Sequence, residues 1–257
     1  VTPTCQGKCR LQFLARNAGK DRIRLFARPV ELSAQHTLEI HVTYNSTDTE
    51  ALLKEKESVL ASPSILPPCD RRLLHIGRLV KWKRVDLLIE AFRKVAADYP
   101  EAELVIVGDG PELDNLRQQA NDLQLADSIR FIGAVYDPKI LGAYMNESSI
   151  YVLAGMGGLS INDAMTYGMP VLCAVCDSTE RDLVMEGKNG YFFKDGDADS
   201  LADRIREMFE SPERCKEMGK ESERMIREKI NMETVSERYL KAFQEIIHLT
   251  HLRDSGN

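Results

Sequence analysis

Long hydrophobic runs are missing from this chain of 257 residues. No stretch reaches the 18 or so apolar residues that a membrane-spanning helix requires, and the N-terminus lacks the charged-then-apolar order of a secretion signal. A soluble intracellular protein is the expectation. Excess positive charge is also missing. The formal net charge is -6, whereas a general nucleic-acid binder carries a net basic surface to neutralise phosphates, so no nucleic-acid partner is expected. Cysteine is sparse: Cys5, Cys9, Cys69, Cys173, Cys176 and Cys215 are too few for a disulfide scaffold. Cys5 and Cys9 have no later His or Cys pair at ligand spacing to complete a zinc site. Cys173 and Cys176 fall inside the apolar run VLCAVC, which reads as a buried strand.

What the sequence has in quantity is alternation. From about residue 71, short β-branched runs alternate with amphipathic segments, the mark of a parallel sheet with helical crossovers. Leu73–Ile76, Leu104–Val107, Ile129–Ile132, Ile150–Leu153 and Val171–Val175 are near-continuous apolar runs, as expected where both sheet faces are covered. Between the first two, Val85, Leu88, Ile89, Phe92 and Val95 recur at helical spacing. A second helix is expected from Pro111, with others over Pro138–Met145, Leu159–Tyr167, Glu180–Glu186 and Asp199–Phe209. After the extended run Gly190–Phe193 and that last helix, two more helices close the chain. In the final one Val235, Tyr239, Ala242, Phe243 and Ile246 share a face. The first 70 residues differ in kind, with a basic stretch (Arg10–Arg28), one strand (Leu38–Thr43) and one helix (Thr49–Leu60). The fold class expected is α/β, a Rossmann-like parallel sheet with helices on both faces.

In such a sheet ligands bind beyond the carboxyl ends of the strands. After the first strand, GRLVKWKRVD places Arg78, Lys81, Lys83 and Arg84 about a helix start, a combination suited to a diphosphate. A solvated helix N-terminus is the competing reading. After the second strand GDGPEL reads as turn chemistry. After the fourth, Gly155, Gly157 and Gly158 precede a helix and allow backbone N–H groups to approach a phosphate or sugar, although glycines there are also packing devices. One cationic and one glycine-rich loop on one sheet edge describe a site for a nucleoside diphosphate with something attached.

These segments, in this order, resemble the retaining GT-B glycosyltransferases of the large group 4 class: LLHIGRLVKWKRVDLLIEAF, LVIVGDGPELDNL, IRFIGAV, GGLSINDAMTYGMPV and GKNGYFF. The resemblance runs from about residue 39 to about residue 247. It implies that Arg78 and Lys83 grip the donor pyrophosphate and act in catalysis. It implies further that Ile132 and Gly133 hold the base and that Met156, Gly157, Gly158, Leu159 and Ser160 meet the distal phosphate and sugar. The family's paired glutamates, eight positions apart, are here Gly155 and Asp163. Asp163 keeps a carboxylate for the ribose, while Gly155 lacks the side chain that would touch the sugar.

The resemblance also implies a division into residues 1–70, a remnant of an N-terminal acceptor domain with its linker, 71–231, the donor domain, and 232–257, a helix crossing back to the acceptor domain. The expected ligand is a nucleotide diphosphate sugar, used without metal or cofactor for transfer to a saccharide or lipid-linked acceptor, in the cytoplasm and peripheral to a membrane in the full-length enzyme. With one cleft wall encoded, the chain is expected to bind donor without turnover unless an acceptor half or separate subunit is supplied, and to self-associate. The competing readings are a non-catalytic sugar-nucleotide module, half of a split glycosyltransferase, and a GT-B epimerase.

Overall fold

A computed structural model describes residues 46–176 and 180–254, with the side chains of 245–254 excepted. Cys5, Cys9, the basic stretch Arg10–Arg28 and the strand expected at Leu38–Thr43 lie outside the described residues.

The sheet has six strands, β1 (Arg72–Ile76), β2 (Glu103–Val107), β3 (Ile129–Gly133), β4 (Ile150–Leu153), β5 (Val171–Ala174) and β6 (Gly190–Phe193), in the order β3-β2-β1-β4-β5-β6. Every pairing is parallel. The helices are α1 (Thr49–Leu60), α2 (Val85–Ala96), α3 (Leu113–Asp122), α4 (Pro138–Asn146), α5 (Ser160–Thr166), α6 (Glu180–Leu183), α7 (Ala198–Glu210), α8 (Pro212–Lys229) and α9 (Met232–Asp254). The chain winds outward from β1 to β3 in one direction and from β4 to β6 in the other, so the order reverses between β1 and β4. That is the place where loops diverge and leave a crevice.

Strand residues divide by parity. Leu73, Leu104, Ile106, Val152 and Leu172 face α2, α3 and α7 in one core. Leu74, Val105, Tyr151, Leu153 and Cys173 face α5 and the second half of α8 in the other. Both faces being covered explains why these strands are apolar throughout rather than alternating. Helix starts follow local chemistry: Asp48, Asp137 and Asp197 accept hydrogen bonds from first-turn backbone N–H groups, and Pro138 occupies the first turn of α4. Pro111 does not begin a helix. Glu112 N–H donates to Leu79 O and Leu113 N–H to Gly110 O, so Pro111 stands in a turn and α3 starts at Leu113.

Residues 46–70 lie on the α5 side of the sheet. Lys56 of α1 pairs with Glu223 of α8 at 2.6 Å and donates to Thr166 O of α5, while Glu147 accepts from the backbone N–H groups of Ile65 and Leu66. On α9, Val235 and Ala242 are buried, whereas Tyr239, Leu240 and Phe243 are exposed. Of the residues expected to share one face of this helix, Val235 and Ala242 thus pack inward while Tyr239 and Phe243 do not. No helix among the described residues is long and apolar enough to cross a membrane.

One charge is buried at the foot of the sheet. The Arg72 side chain, 1% exposed, pairs with Glu103 of β2 at 2.9 Å and donates to Glu147 O at 2.6 Å and Pro67 O at 2.5 Å. Burial alone would raise the Glu103 carboxyl. Its bonds to Arg130 and Arg72 outweigh that and hold it below the usual range. Arg72→Ala would leave a partly buried carboxylate short of its partner and two carbonyls unmatched. We expect a loss of about 3–5 kcal/mol in urea unfolding; a loss below about 1 kcal/mol would show that the guanidinium is no more important than a surface charge.

Candidate functional site

The carboxyl edge of the sheet is knit together by backbone hydrogen bonds between loops from different strands. Gly108 N–H donates to Gly133 O at 2.8 Å, Leu79 N–H to Asp109 O at 2.9 Å, and Met156 N–H to Trp82 O at 2.9 Å. These bonds link the ends of β3, β2, β1 and β4 in turn. Close approach makes glycine necessary at two of the contacts. A Cβ on Gly108, whose φ is +145°, would lie 1.9 Å from Gly77 O, and one on Gly155 would lie 2.2 Å from Trp82 O.

Lys83 sits at the reversal point. It ends the short 3-10 turn Lys81–Lys83, and its Nζ donates to Met156 O at 2.9 Å and Gly157 O at 2.8 Å. A Cβ on Gly158 would come within 3.2 Å of the same Nζ. The Lys83 ammonium of the first loop is therefore held by carbonyls of the glycine-rich fourth. Arg78, on the same loop, is exposed; its carbonyl accepts from Val80 N–H at 3.0 Å, while its side chain makes no hydrogen bond or ion pair among the described residues. Lys81 is also exposed. Arg84 caps α2 in the left-handed region, with φ 51° and ψ 39°, a conformation that costs a non-glycine residue about 1 kcal/mol.

The other expected residues divide. Ser160 begins α5, and its Oγ accepts from the Tyr151 hydroxyl at 2.7 Å, with Ile76 O at 3.3 Å from the same hydroxyl. Ile132 and Gly133 end β3 at the sheet edge, two strands from Lys83 in the sheet order, and join the site through the Gly108 contact. Met156 and Leu159 are exposed. Gly155 is more than a lost side chain: Trp82 O fills the space that its Cβ would need.

Asp163 lies on α5, and burial pushes its carboxyl up to about 6, with the Thr47 hydroxyl acting in the opposite direction. The Thr47 hydroxyl stands near enough to oppose the shift but not to complete a hydrogen bond, so Thr47 Oγ1 and Asp163 Oδ1 are both buried without one. A buried carboxylate oxygen without a donor is costly to stability.

One residue escaped the sequence reading. His75 of β1 is fully buried, and its Nδ1 lies 3.0 Å from Val152 O, across the reversal point. A carbonyl only accepts, so Nδ1 carries the proton and Nε2 presents a lone pair, for which no partner exists among the described residues. Burial, with Lys83 adding to it and the Val152 bond opposing it, lowers the imidazole to about 4 and keeps it neutral. Nε2 lies 3.5 Å from the position a Cβ on Gly77 would take, directly under the cationic loop. The available signal was a polar residue inside the apolar run before Gly77.

Two outcomes follow from this geometry. Because the folded pKa of Asp163 lies above its unfolded value, ionisation opposes folding, and stability is lost as pH rises from about 4 through about 6. Asp163→Asn should therefore stabilise the unliganded protein by about 2–3 kcal/mol at pH 7 and hardly at all near pH 3.5; equal unfolding midpoints at pH 7 would show that the carboxylate is well solvated. Gly155→Ala should cost at least about 2 kcal/mol in the same assay, the range for forcing atoms into a packed site, and an unchanged midpoint would mean that the two loops separate freely.

Three comparisons bear on this geometry. The profile of the family described as glycosyl transferases group 1 matches residues 59–225. The chain is similar to the N-acetyl-alpha-D-glucosaminyl L-malate synthase of Bacillus anthracis, 26% identical over 219 residues that make up 85% of this chain and 56% of that protein. Among solved structures, S. aureus TarM (G117R) in complex with Fondaparinux, alpha-GlcNAc-glycerol and UDP superposes with a TM-score of 0.67 at 22% identity, over 81% of this chain and 40% of that one. The C-terminal domain of the group 1 glycosyl transferase LpcC from Francisella tularensis superposes with a TM-score of 0.59 at 21% identity, over 74% of this chain and 97% of that one. The chain spans about half the length of curated relatives that it matches. A Rossmann-like sheet of order β3-β2-β1-β4-β5-β6, with a lysine tied across its reversal point, is the C-terminal half of a GT-B fold, and the chain belongs to the group 1 glycosyl transferases.

Proposed function

We propose that this chain binds a nucleotide diphosphate sugar at the β1–β4 reversal point and serves retaining transfer of the sugar to a saccharide or lipid-linked acceptor. The observation that carries the reading is the tie between Lys83 Nζ and the Met156 and Gly157 carbonyls, which brings together a glycine loop and a cation on the loop that also carries the exposed Arg78. A diphosphate placed there would meet the Arg78 guanidinium, able to bond two oxygens at once, and a lysine charge already fixed in position.

Catalysis in this proposal is electrostatic. Negative charge gathers on the leaving diphosphate as the glycosidic bond breaks, and cations preorganised in the loop stabilise it without rearranging at that moment. Neither metal nor cofactor is part of the scheme. Ile132 and Gly133 would flank the base, and Asp163, lacking a donor at Oδ1, would take the ribose hydroxyls. Uridine is the base we favour, because UDP is bound in the TarM complex. The acceptor would lie against a second wall, from an acceptor domain or a separate subunit, and transfer by this chain alone is not expected.

A second reading, a sugar-nucleotide-binding module without turnover, is favoured by Gly155, where Trp82 O leaves no room for an acidic side chain. Transfer assays with and without an acceptor half separate the two.

Calorimetric titration with UDP, GDP and ADP tests the donor site. One of them should bind, and Arg78→Ala or Lys83→Ala should each weaken it by about 1.5–3 kcal/mol, the range for a hydrogen bond to a charged group. Lys81→Ala should do markedly less. Equal losses from all three substitutions would indicate diffuse attraction to a basic loop.

A further inference from the structure

The parallel register of β1 with β2 runs from Arg72 to Ile76, whereas that with β4 stops at Leu74 and Tyr151. Beyond that pair, where the crevice opens, two buried side chains span from strand to strand. His75 of β1 donates from Nδ1 to Val152 O of β4 at 3.0 Å. In the other direction, the Tyr151 hydroxyl of β4 lies 3.3 Å from Ile76 O of β1 and donates to Ser160 Oγ, at the start of α5, at 2.7 Å. Successive strand residues face opposite sides of a sheet. Tyr151 accordingly lies in the α5 core, and His75 shares the parity of Leu73 on the α2 side, so the sheet is bridged on both faces. Both side chains are fully buried, and burial raises the phenol and lowers the imidazole, which keeps both neutral.

The two bridges meet at Lys83. Its Cε lies 3.9 Å, and His75 Nε2 3.5 Å, from the place that a Cβ on Gly77 would take. Its Nζ lies 3.2 Å, and Ser160 Oγ 4.0 Å, from the corresponding place on Gly158. The lysine stem thus passes by the imidazole, and its ammonium ends by the hydroxyl that Tyr151 holds. We infer that His75 and Tyr151 are positioning residues for Lys83: their bridges fix the separation of β1 and β4 at the reversal point, and with it the place where the ammonium meets a diphosphate. The inference rests on the donor-site reading above. Neither residue has to touch the ligand. Polar groups buried in an apolar sheet are costly, and an apolar residue at either position would avoid that cost. What the bridges contribute in return is a cation whose place is set in advance, the condition under which it stabilises developing charge without rearranging.

The test is calorimetric titration of the full chain with UDP, or with GDP or ADP if that nucleotide binds instead, alongside urea unfolding of each variant. Tyr151→Phe, which removes one oxygen, and His75→Leu should each weaken the nucleotide by about fivefold or more, within the range of one lost hydrogen bond. In a Lys83→Ala background the same two substitutions should change affinity by no more than about twofold, because residues that act through the lysine then have nothing left to place. His75→Asn, whose amide keeps a donor near the Nδ1 position, should recover affinity to within about threefold of the parent. If His75→Leu does not fold, Tyr151→Phe and His75→Asn carry the test. Variants that lose stability yet bind nucleotide as the parent does would overturn the inference and leave the two side chains as core residues. Losses that persist undiminished in the Lys83→Ala background would overturn it as well, and no recovery with His75→Asn would remove His75 from the pair. Absence of nucleotide binding by the parent chain would overturn the donor site itself, and the positioning role with it.

Discussion

The close approach of backbones at the carboxyl edge of the sheet is the constraint on which the site depends. The loop after β1 lies so near those after β2 and β4 that Cβ atoms on Gly108 and Gly155 would fall about 2 Å from its carbonyls. That proximity allows Leu79, Trp82, Asp109 and Met156 to satisfy one another's backbone groups and sets Lys83 Nζ among the β4-loop carbonyls. Loops held this way keep the positions of charges before any ligand arrives, and preorganisation is what makes electrostatic stabilisation effective.

Beneath this edge the buried polar groups are arranged at a cost to stability. His75 is neutral, with its Nε2 lone pair unmatched, and the Asp163 carboxyl is pushed up to about 6 with Oδ1 unmatched. Arg84 adds left-handed backbone at the cap of α2. The network around Arg72, Glu103 and Glu147 lies at the opposite end of the strands, where the Arg72 guanidinium is matched by a carboxylate and two carbonyls. Unmet hydrogen bonds and left-handed backbone are thus found at both ends of the strands, with Arg71 Nε, Arg130 Nε and Gln124 toward the foot and His75 Nε2 and Arg84 toward the carboxyl edge.

Much of this was legible in the residues. The five strands read from β-branched runs are found within one residue of their expected ends, and α1 begins at Thr49 and closes at Leu60 as expected. Their periodicity reflects only which faces are buried, a local property of the chain. The cationic and glycine-rich loops were legible for a similar reason, since a strand followed by such residues places them at the carboxyl end whatever the rest of the chain does. Pro111 was misjudged because its turn depends on Leu79, a residue more than thirty positions earlier. His75 was passed over because a polar residue inside an apolar run has no meaning until its neighbours are known.

The sequence by itself determined the alternation of strands and helices, the α/β class and the residue types at each strand end, because hydrophobic period and turn chemistry act over a few positions. Tertiary structure alone decided the strand order, and with it the reversal point that sets β1 beside β4. It alone also decided that Trp82 O would close off Gly155, that Lys83 would reach Met156 and Gly157, and that Asp163 would be half-buried with a buried oxygen unmatched. These are contacts between segments some seventy or more residues apart, or burial produced by such contacts, and no local pattern encodes the distance between two loops.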